Sequence, residues 1–149
     1  MKKLLLGITL SVSVAGVVAQ ELSTNQAATA AAVADSVTTY VGVAAGAAEA
    51  NPLVSPTLGG VVLLAAAKLG AIEYIDRSNR SDAEKRDIKR SAVAVWTGLS
   101  VSNICIILSM ATPVALVAGV ASGGYLWTAK YTDDKKVPAK TEQILARAD

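Results

Sequence analysis

Two opposite charges inside apolar stretches are the residues of this 149-residue chain best suited to chemistry. Asp35 lies in the Ala-rich run 27–50, and Lys68 lies near the middle of the apolar run 57–75. An isolated charge near the centre of a bilayer costs about 2.5–3.5 kcal/mol on insertion scales. A carboxylate facing an ammonium group would remove much of that cost. Such a pair can fix the register of two helices, relay a proton or ion, or contact a partner helix.

The spacing of the two charges around a proline turn predicts that they meet. Asn51 precedes Pro52, and the residue before a proline is disfavoured in the helical region. The linker NPLVSP is short, so the two flanking helices should form an antiparallel hairpin. Asp35 and Lys68 each lie 16 or 17 residues from the turn, hence at the same depth. We therefore predict an ion pair that fixes the hairpin register, with a relay or a partner contact as the functional alternatives.

Several catalytic chemistries are excluded by what the sequence lacks. There is no histidine, so Ser–His, Cys–His and histidine–metal sites cannot form. Neither a phosphate-binding loop nor a dinucleotide fingerprint is present. Asp35 and Glu49 are 14 residues apart, roughly 21 Å along one helix, too far for a carboxylate dyad. The single cysteine, Cys105, lies in an apolar run and is expected to be a small buried hydrophobe. We predict no enzyme activity, no catalytic residue, no bound metal and no cofactor.

The composition favours lipid as the solvent of the apolar runs. Apolar residues make up 52% of the chain and aromatics only 4%, with 11 glycines and no phenylalanine. Small residues let helices approach closely in a membrane. A soluble Ala-rich bundle is the alternative, but long uncharged runs favour a membrane. The net charge of +2 is too small to indicate nucleic-acid binding, and the basic residues gather at the ends of apolar runs, as membrane flanks do.

The sequence predicts an all-α integral membrane protein with two helical hairpins, preceded by a signal peptide or a signal anchor. Residues 1–19 have a charged start, an apolar middle and small residues at a candidate cleavage site, which is the signal-peptide pattern. An uncleaved anchor is the alternative. A helical membrane domain then covers residues 20–131, and a charged tail covers residues 132–149. The predicted helices are 27–50, 57–75, 82–110 and 113–131.

Local signals support the starts of the last two helices. Ser81 and Glu84 have the capping-box spacing, so a helix should begin at Asp82. Thr112 followed by Pro113 is typical of an N-cap with proline at the first helical position. Three aromatic residues near the end of the last helix are expected at a membrane interface: Tyr125, Trp127 and Tyr131.

Two glycine pairs have the spacing that permits close helix contact. They are Gly42 with Gly46, and Gly119 with Gly123. The GxxxG spacing is common in helix–helix contacts in membranes, although it also arises by chance in Ala/Gly-rich runs. We expect both pairs to be packing surfaces, either within the chain or between copies.

The charge pattern gives two competing topologies. If 1–19 translocates the chain and 27–50 spans, the basic stretch 76–90 lies outside, against the positive-inside rule. We favour a segment 27–50 that does not fully span, with residues 20–56 outside and 76–90 inside. Alternatively, 1–19 does not cross and the four later helices do. The stretch 76–90 mixes six basic and four acidic residues, which predicts a solvated loop.

Residues 35–52, DSVTTYVGVAAGAAEANP, resemble a family of small bacterial and phage membrane proteins of unknown function. In that family an Asp, one or two Thr, a Gly and then E-x-N-P close the first helix of a hairpin. The matching positions here are Asp35, Thr38, Thr39, Gly46, Glu49, Asn51 and Pro52. The resemblance implies a membrane hairpin and supplies no activity.

The expected function is that of a non-enzymatic accessory or structural subunit in a membrane or virion assembly. The expected location is a bacterial inner membrane or a virus-associated membrane. One alternative is a holin-like pore former or permeabiliser, whose helices self-associate around water. Another is a proton- or ion-conducting helical bundle that uses Asp35. The expected partners are membrane lipid together with further copies of the chain or other membrane subunits.

Overall fold

The computed structural model describes residues 21–46 and 57–134, and within these ranges it contains four α-helices and no strand. The predicted all-α class is therefore confirmed for the described part of the chain. The helices are α1 (Thr24–Ala44), α2 (Leu58–Arg77), α3 (Asp82–Ile107) and α4 (Thr112–Thr128). Several predictions lie outside the described residues: the signal or anchor 1–19, the turn residues Glu49, Asn51 and Pro52, and the tail from residue 135.

Capping boxes fix the starts of α1 and α3. At α1, Gln26 N donates to Ser23 Oγ at 3.2 Å, and Ser23 N donates to the Gln26 side chain at 2.9 Å. This reciprocal cap satisfies two backbone donors, so α1 begins three residues before the predicted boundary. The predicted box of Ser81 and Glu84 is present, and α3 begins at Asp82 as expected.

Most helix boundaries differ from the prediction by one to six residues, and α2 covers Leu58–Arg77 instead of 57–75. α1 ends at Ala44 rather than residue 50, and Gly46 follows with a φ of 89°, a left-handed conformation that glycine adopts without steric cost. The expected N-cap at Thr112 is wrong, because Thr112 is already helical. Ala111 is the cap residue and provides no side-chain bond. α3 and α4 each end three residues before the predicted boundaries.

The helices form two antiparallel hairpins, α1 with α2 and α3 with α4. The most extensive contact is between α3 and α4, followed closely by that between α1 and α3, whereas α1 and α2 touch less. α1 and α3 run parallel, since Asn25 contacts Lys89 near their starts and Thr39 contacts Asn103 towards their ends. The hairpins are therefore joined mainly through α1 and α3.

The start of α1, the end of α2, the start of α3 and the residues after α4 meet at one end of the bundle, here called the charged end. A core cluster lies near this end. All four helices contribute to it, and Tyr131, which follows α4, completes it: Ala27, Ala28, Ala31, Ala32, Ile72, Val93, Leu126 and Tyr131. A second cluster lies further along α3 and α4: Cys105, Ala115 and Ala118. Small side chains dominate both clusters, so the helices lie close together.

The favoured topology, with residues 20–56 and 76–90 on opposite sides, is wrong for this fold. Thr132 N donates to Leu22 O at 3.0 Å, and Lys89 Nζ donates to Asn25 Oδ1 at 3.2 Å. These bonds place the start of α1 beside the basic stretch. The alternative, in which 1–19 does not cross and the four later helices do, sets residues 22–25 and the basic stretch at the same end, in agreement with these bonds.

Candidate functional site

The structure brings Asp35 and Lys68 together between α1 and α2. Lys68 Nζ donates to Asp35 Oδ2 in an ion pair whose side chains are only 9% and 5% exposed. The Lys68 ammonium also lies 5.9 Å from the centre of the Trp96 ring on α3, within the range of a cation–π contact. One buried charge pair thus connects three helices.

Hydroxyl groups next to Asp35 are satisfied within α1. Ser36 Oγ donates to Ala32 O at 2.8 Å, and Thr38 Oγ1 donates to Asp35 O at 3.1 Å. Such bonds to the preceding turn let serine and threonine lie inside a helix without an unpaired donor. The polar face of α1 can therefore be buried.

Asn103 extends this polar site across the contact between α1 and α3. Its Nδ2 lies 3.1 Å from Thr39 Oγ1 and 3.4 Å from Thr38 Oγ1. The two threonines, predicted as part of the hairpin-turn motif, contact α3. Sequence analysis missed Asn103, although it is the sole amide side chain in the run 91–110.

Gly119 and Gly123 form a packing surface against α3 within the chain. A Cβ at Gly119 would lie 2.1 Å from Ser102 Oγ and 2.5 Å from Gly98 O. A Cβ at Gly123 would lie 2.4 Å from Ala94 O. Only glycine allows the two backbones to approach this closely. This pair of glycines packs as predicted, and it does so between helices of one chain.

Gly42 and Gly46 do not repeat that arrangement. Gly42 is buried in α1, but Gly46 lies beyond the end of the helix. A Cβ built at Gly46 meets no atom within 4 Å. Among the described residues Gly46 is therefore not a packing residue, and its positive φ indicates a role in ending α1.

Lys89 anchors the charged end. It is only 7% exposed, pairs with Asp76 at the end of α2, and also donates to Asn25 Oδ1 on α1. Lys85 Nζ donates to Asp76 O at 2.8 Å. The prediction that 76–90 is solvated is wrong at Lys89, because the helix that begins at Asp82, as predicted, turns this side chain towards α1 and α2.

Residues after α4 fold back onto the start of α1. Arg90 forms an ion pair with Asp134 and lies 5.5 Å from the centre of the Tyr131 ring. Asp133 Oδ1 accepts bonds from Thr24 N at 3.0 Å and from Thr24 Oγ1 at 2.8 Å. A carboxylate at a helix N-terminus is favourable because the backbone donors there lack helical partners. We call these five residues the terminal clasp.

Tyr131 is fully buried, contrary to its predicted interfacial position. Its hydroxyl donates to Leu126 O at 3.0 Å. Burial raises the pKa of the Tyr131 phenol above its ordinary value, while the nearby Arg90 opposes the shift. The clasp holds this ring against the core cluster, which the sequence pattern of the tail did not indicate.

The described residues bury several polar side chains and expose many large aliphatic ones, more than is usual in a small water-soluble protein. The buried polar residues are Thr24, Asp35, Ser36, Lys68, Lys89, Ser100, Ser102 and Ser122. Large aliphatic side chains point outwards instead, with Leu63 71% and Val120 77% exposed. α2 and α3 are long and apolar enough to cross a membrane, a test that soluble core helices also pass. Only 17% of the apolar stretch of α2 is buried inside the bundle, whereas the core helix of a soluble protein is mostly buried.

Three of the four exposed aromatic residues lie near the charged end, and the fourth, Tyr40, lies towards the opposite end of α1. Tyr74 lies near the end of α2, and Tyr125 and Trp127 lie near the end of α4. Tyrosine and tryptophan are enriched where membrane proteins meet the headgroup region. Tyr74, Tyr125 and Trp127 therefore lie where the apolar outward surface meets the charged end.

Comparison with known proteins gives no relative: no protein-family model, curated protein or solved structure matches this chain. Within residues 21–46 and 57–134 there is also no group of three or more Cys, Asp or Glu side chains that could hold a metal ion. The functional argument therefore depends on the geometry of the chain itself.

Proposed function

We propose that this chain is a non-enzymatic integral membrane protein that serves as an accessory or structural subunit of a membrane or virion assembly. The observation that carries the proposal is the outward position of many large aliphatic side chains, together with a charge pair buried inside the bundle. In lipid the outward aliphatic groups are in their preferred solvent. In water the same surface would be an exposed apolar patch prone to association.

The interior supports a structural role. Asp35 and Lys68 neutralise each other, and the hydroxyls of Ser36 and Ser102 donate to backbone carbonyls. Each of these groups stabilises a helix or a contact between helices. A subunit that packs its apolar surface against neighbouring subunits needs a rigid interior in which the buried polar groups are paired.

The charged end supports a cytoplasmic orientation for that side of the bundle. Three of its basic residues are exposed, Arg77, Arg80 and Lys130, and Lys85 and Arg86 are half-buried. Positive charge is retained on the cytoplasmic side of most membrane proteins. The membrane is proposed to be a bacterial inner membrane or a virus-associated membrane.

Two observations favour alternative functions. The outward face of α1 combines Gln26 and Thr29 with the small residues Ala30 and Ala34, as expected for helices that self-associate around water in a holin-like pore. The buried pair of Asp35 and Lys68 supports a proton- or ion-conducting bundle.

Purification in mild detergent after cross-linking in its own membrane tests the proposal. A partner recovered in fixed stoichiometry, with the membrane potential unchanged by expression, is the result expected of an accessory subunit. Collapse of the potential, followed with a voltage-sensitive dye, would instead support a pore. Collapse that is abolished by Asp35→Asn, but not by a control change at the exposed Leu63, would support conduction through the charge pair.

A further inference from the structure

The outward face of α1 is an open groove that the described helices leave uncovered. The groove has a volume of about 730 Å³, and the residues that line it all belong to α1 between Asn25 and Thr38. The buried side chains of α1, among them Ala28, Ala31 and Asp35, lie on the opposite face, towards α2 and α3. The outward face of α1 thus makes no contact within the described bundle.

The composition of this face differs from that of the outward faces of α2 and α4. α2 exposes Leu63 and Leu69, and α4 exposes Leu116. α1 contains no leucine or isoleucine, and it exposes Gln26 and Thr29 together with alanines. Small and weakly polar residues on a membrane helix favour contact with another helix. The outward face of α1 is therefore better suited to protein than to lipid.

The exposed residues at the centre of this face form a stripe, here called the α1 stripe. They recur at alternating spacings of four and three residues: Gln26, Ala30, Val33, Val37, Tyr40 and Ala44. Side chains at this spacing stay against a partner helix over the whole length of the contact. From its first to its last residue the stripe is roughly 27 Å long at 1.5 Å per residue, close to the roughly 30 Å thickness of the hydrocarbon core.

We propose that a second copy of this chain covers the α1 stripe, so that two α1 helices pack parallel and in register about a twofold axis. Such pairing places each residue of the stripe opposite its own copy, so a charge there would repel itself. Every exposed residue of α1 is uncharged, because Asp35, the one charged residue of this helix, is buried and paired with Lys68. The outward face of α2 does not meet this condition, since it exposes Glu73 and Arg77.

Gln26 gives the stripe a self-complementary polar group near the charged end. Its Oε1 accepts a bond from Ser23 N, and its Nε2 has no partner within residues 21–46 and 57–134. An amide both donates and accepts, so Gln26 Nε2 can donate to Oε1 of the partner's Gln26 across the axis. Hydrogen bonds of this kind stabilise helix pairs in membranes, and a polar residue in the contact fixes the register.

Membrane insertion sets the direction of the two helices, and this step rests on the proposed function. Copies inserted by the same route have the same orientation, so their charged ends lie on the same side of the membrane. Two α1 helices that meet in one bilayer are then parallel, as the register requires. The contact also removes Gln26 and Thr29 from lipid. A closed pair uses each stripe once and encloses no water, which distinguishes it from the holin-like pore.

Disulfide trapping with single cysteines tests the parallel register. In a Cys105→Ser background, Ala30→Cys and Val37→Cys each place one cysteine in the chain, which within a pair of copies can join only to the same position. Oxidation with copper phenanthroline in the protein's own membrane should give a disulfide-linked dimer for both. Val120→Cys, on the 77% exposed outward face of α4, is the matched control for random collision and should cross-link several-fold less.

A bulky side chain in the stripe tests the same contact without thiol chemistry. Ala30→Trp should raise the dissociation constant of the dimer roughly tenfold or more, because the two rings would meet at the axis and force the backbones apart. Energy transfer between labelled copies in lipid vesicles measures this constant. Ala121→Trp, at an exposed alanine of α4, is the matched control and should leave the constant unchanged. Ala30 is itself exposed, so the variant should keep the helical circular dichroism spectrum of the wild type.

The proposal is overturned if the stripe positions cross-link no better than Val120→Cys, or if Ala30→Trp leaves the dissociation constant unchanged. A cross-linked product whose mass differs from that of two copies would assign the stripe to another subunit instead. Failure of the proposed function is a separate result, since it is seen as loss of the protein from the membrane fraction. Protein that is inserted in the membrane and does not cross-link refutes the dimer alone.

Discussion

At the scale of single residues, the buried ion pair of Asp35 and Lys68 joins α1 to α2. Two charges withdrawn from water stabilise little on balance, because desolvation opposes their attraction. Removing one partner is different, since it leaves the other charge buried alone. The pair therefore acts chiefly to specify which faces of α1 and α2 meet.

Replacing Lys68 with methionine should destabilise the fold by about 3–5 kcal/mol, the usual effect of breaking a buried pair. The double variant Asp35→Leu/Lys68→Met should recover most of that loss, because no charge remains buried. Unfolding free energies in mixed detergent micelles measure both effects. Unchanged stability and insertion of the single variant would show that the pair does not hold the hairpin.

Tyr131→Phe should destabilise the protein by about 1 kcal/mol, through loss of the hydroxyl bond to Leu126 O. Burial raises the pKa of Tyr131 in the folded state above the ordinary value of 10.0. The folded protein thus holds the phenol proton more tightly than the unfolded chain does. The stability that depends on this proton is complete below pH 10 and is lost as pH rises through the folded-state pKa.

The wild type and the Tyr131→Phe variant are denatured between pH 8 and 11. Lysine titration affects both proteins equally, so the difference between their stabilities reports the titration of Tyr131. The stability advantage of the wild type over Tyr131→Phe should shrink above about pH 10. An advantage that stays constant or grows over that range would contradict the burial of the phenol.

Sequence reasoning succeeded at the residue scale where spacing along the chain alone fixes a distance. Asp35 and Lys68 flank one short turn, so their depths could be compared directly. Lys89 with Asn25 and Thr24 with Asp133 are 64 and 109 residues apart. Their meeting depends on how the two hairpins dock, which no local pattern contains.

At the scale of helices, the contact between α3 and α4 depends on glycine. The carbonyls of Gly98 and Ala94 occupy the space that a Cβ on α4 would take. The GxxxG spacing predicted a packing surface at both glycine pairs. The prediction is confirmed for Gly119 and Gly123 and is wrong for Gly46. The spacing alone does not show whether both glycines lie within the helix.

Gly119→Ala should destabilise the bundle by about 1–3 kcal/mol, the usual effect of overpacking. Gly124→Ala on the same helix is the matched control, because a Cβ there meets nothing within 4 Å. The control should be neutral or more stable by roughly 0.5–1 kcal/mol, since alanine is the better helix former. Equal responses of the two variants in unfolding experiments would rule out the close backbone contact.

The existence of the four helices could be predicted from the sequence, and their ends less well. The long apolar runs predicted that the helices exist, and the capping box at Ser81 predicted where α3 begins. The capping box of Ser23 and Gln26 has the same spacing. No further sequence signal marks a helix start before the Ala-rich run, so the start of α1 at Thr24 was not predicted. The end of α1 at Ala44 also differed, because Gly46 lies within an alanine-rich run that continues to Asn51, and a single glycine in such a run does not by itself mark a helix end.

At the scale of the whole molecule, the four helices form one bundle with one charged end. Its interior consists of small apolar residues and several buried polar ones, and many large aliphatic side chains lie on its outside. The terminal clasp holds the start of α1 against the end of α4, which places residues 22–25 and 130–134 on the same side. The composition indicated a membrane protein, and the outward position of its large aliphatic residues supports that interpretation.

Alkaline carbonate extraction followed by flotation with lipid vesicles tests membrane insertion most directly. We predict that the protein stays in the membrane fraction at high pH and floats with the vesicles, with a helical circular dichroism spectrum. A peripheral protein that binds only through its basic end would be released by carbonate. A monodisperse, helical protein recovered in buffer without detergent would contradict the account.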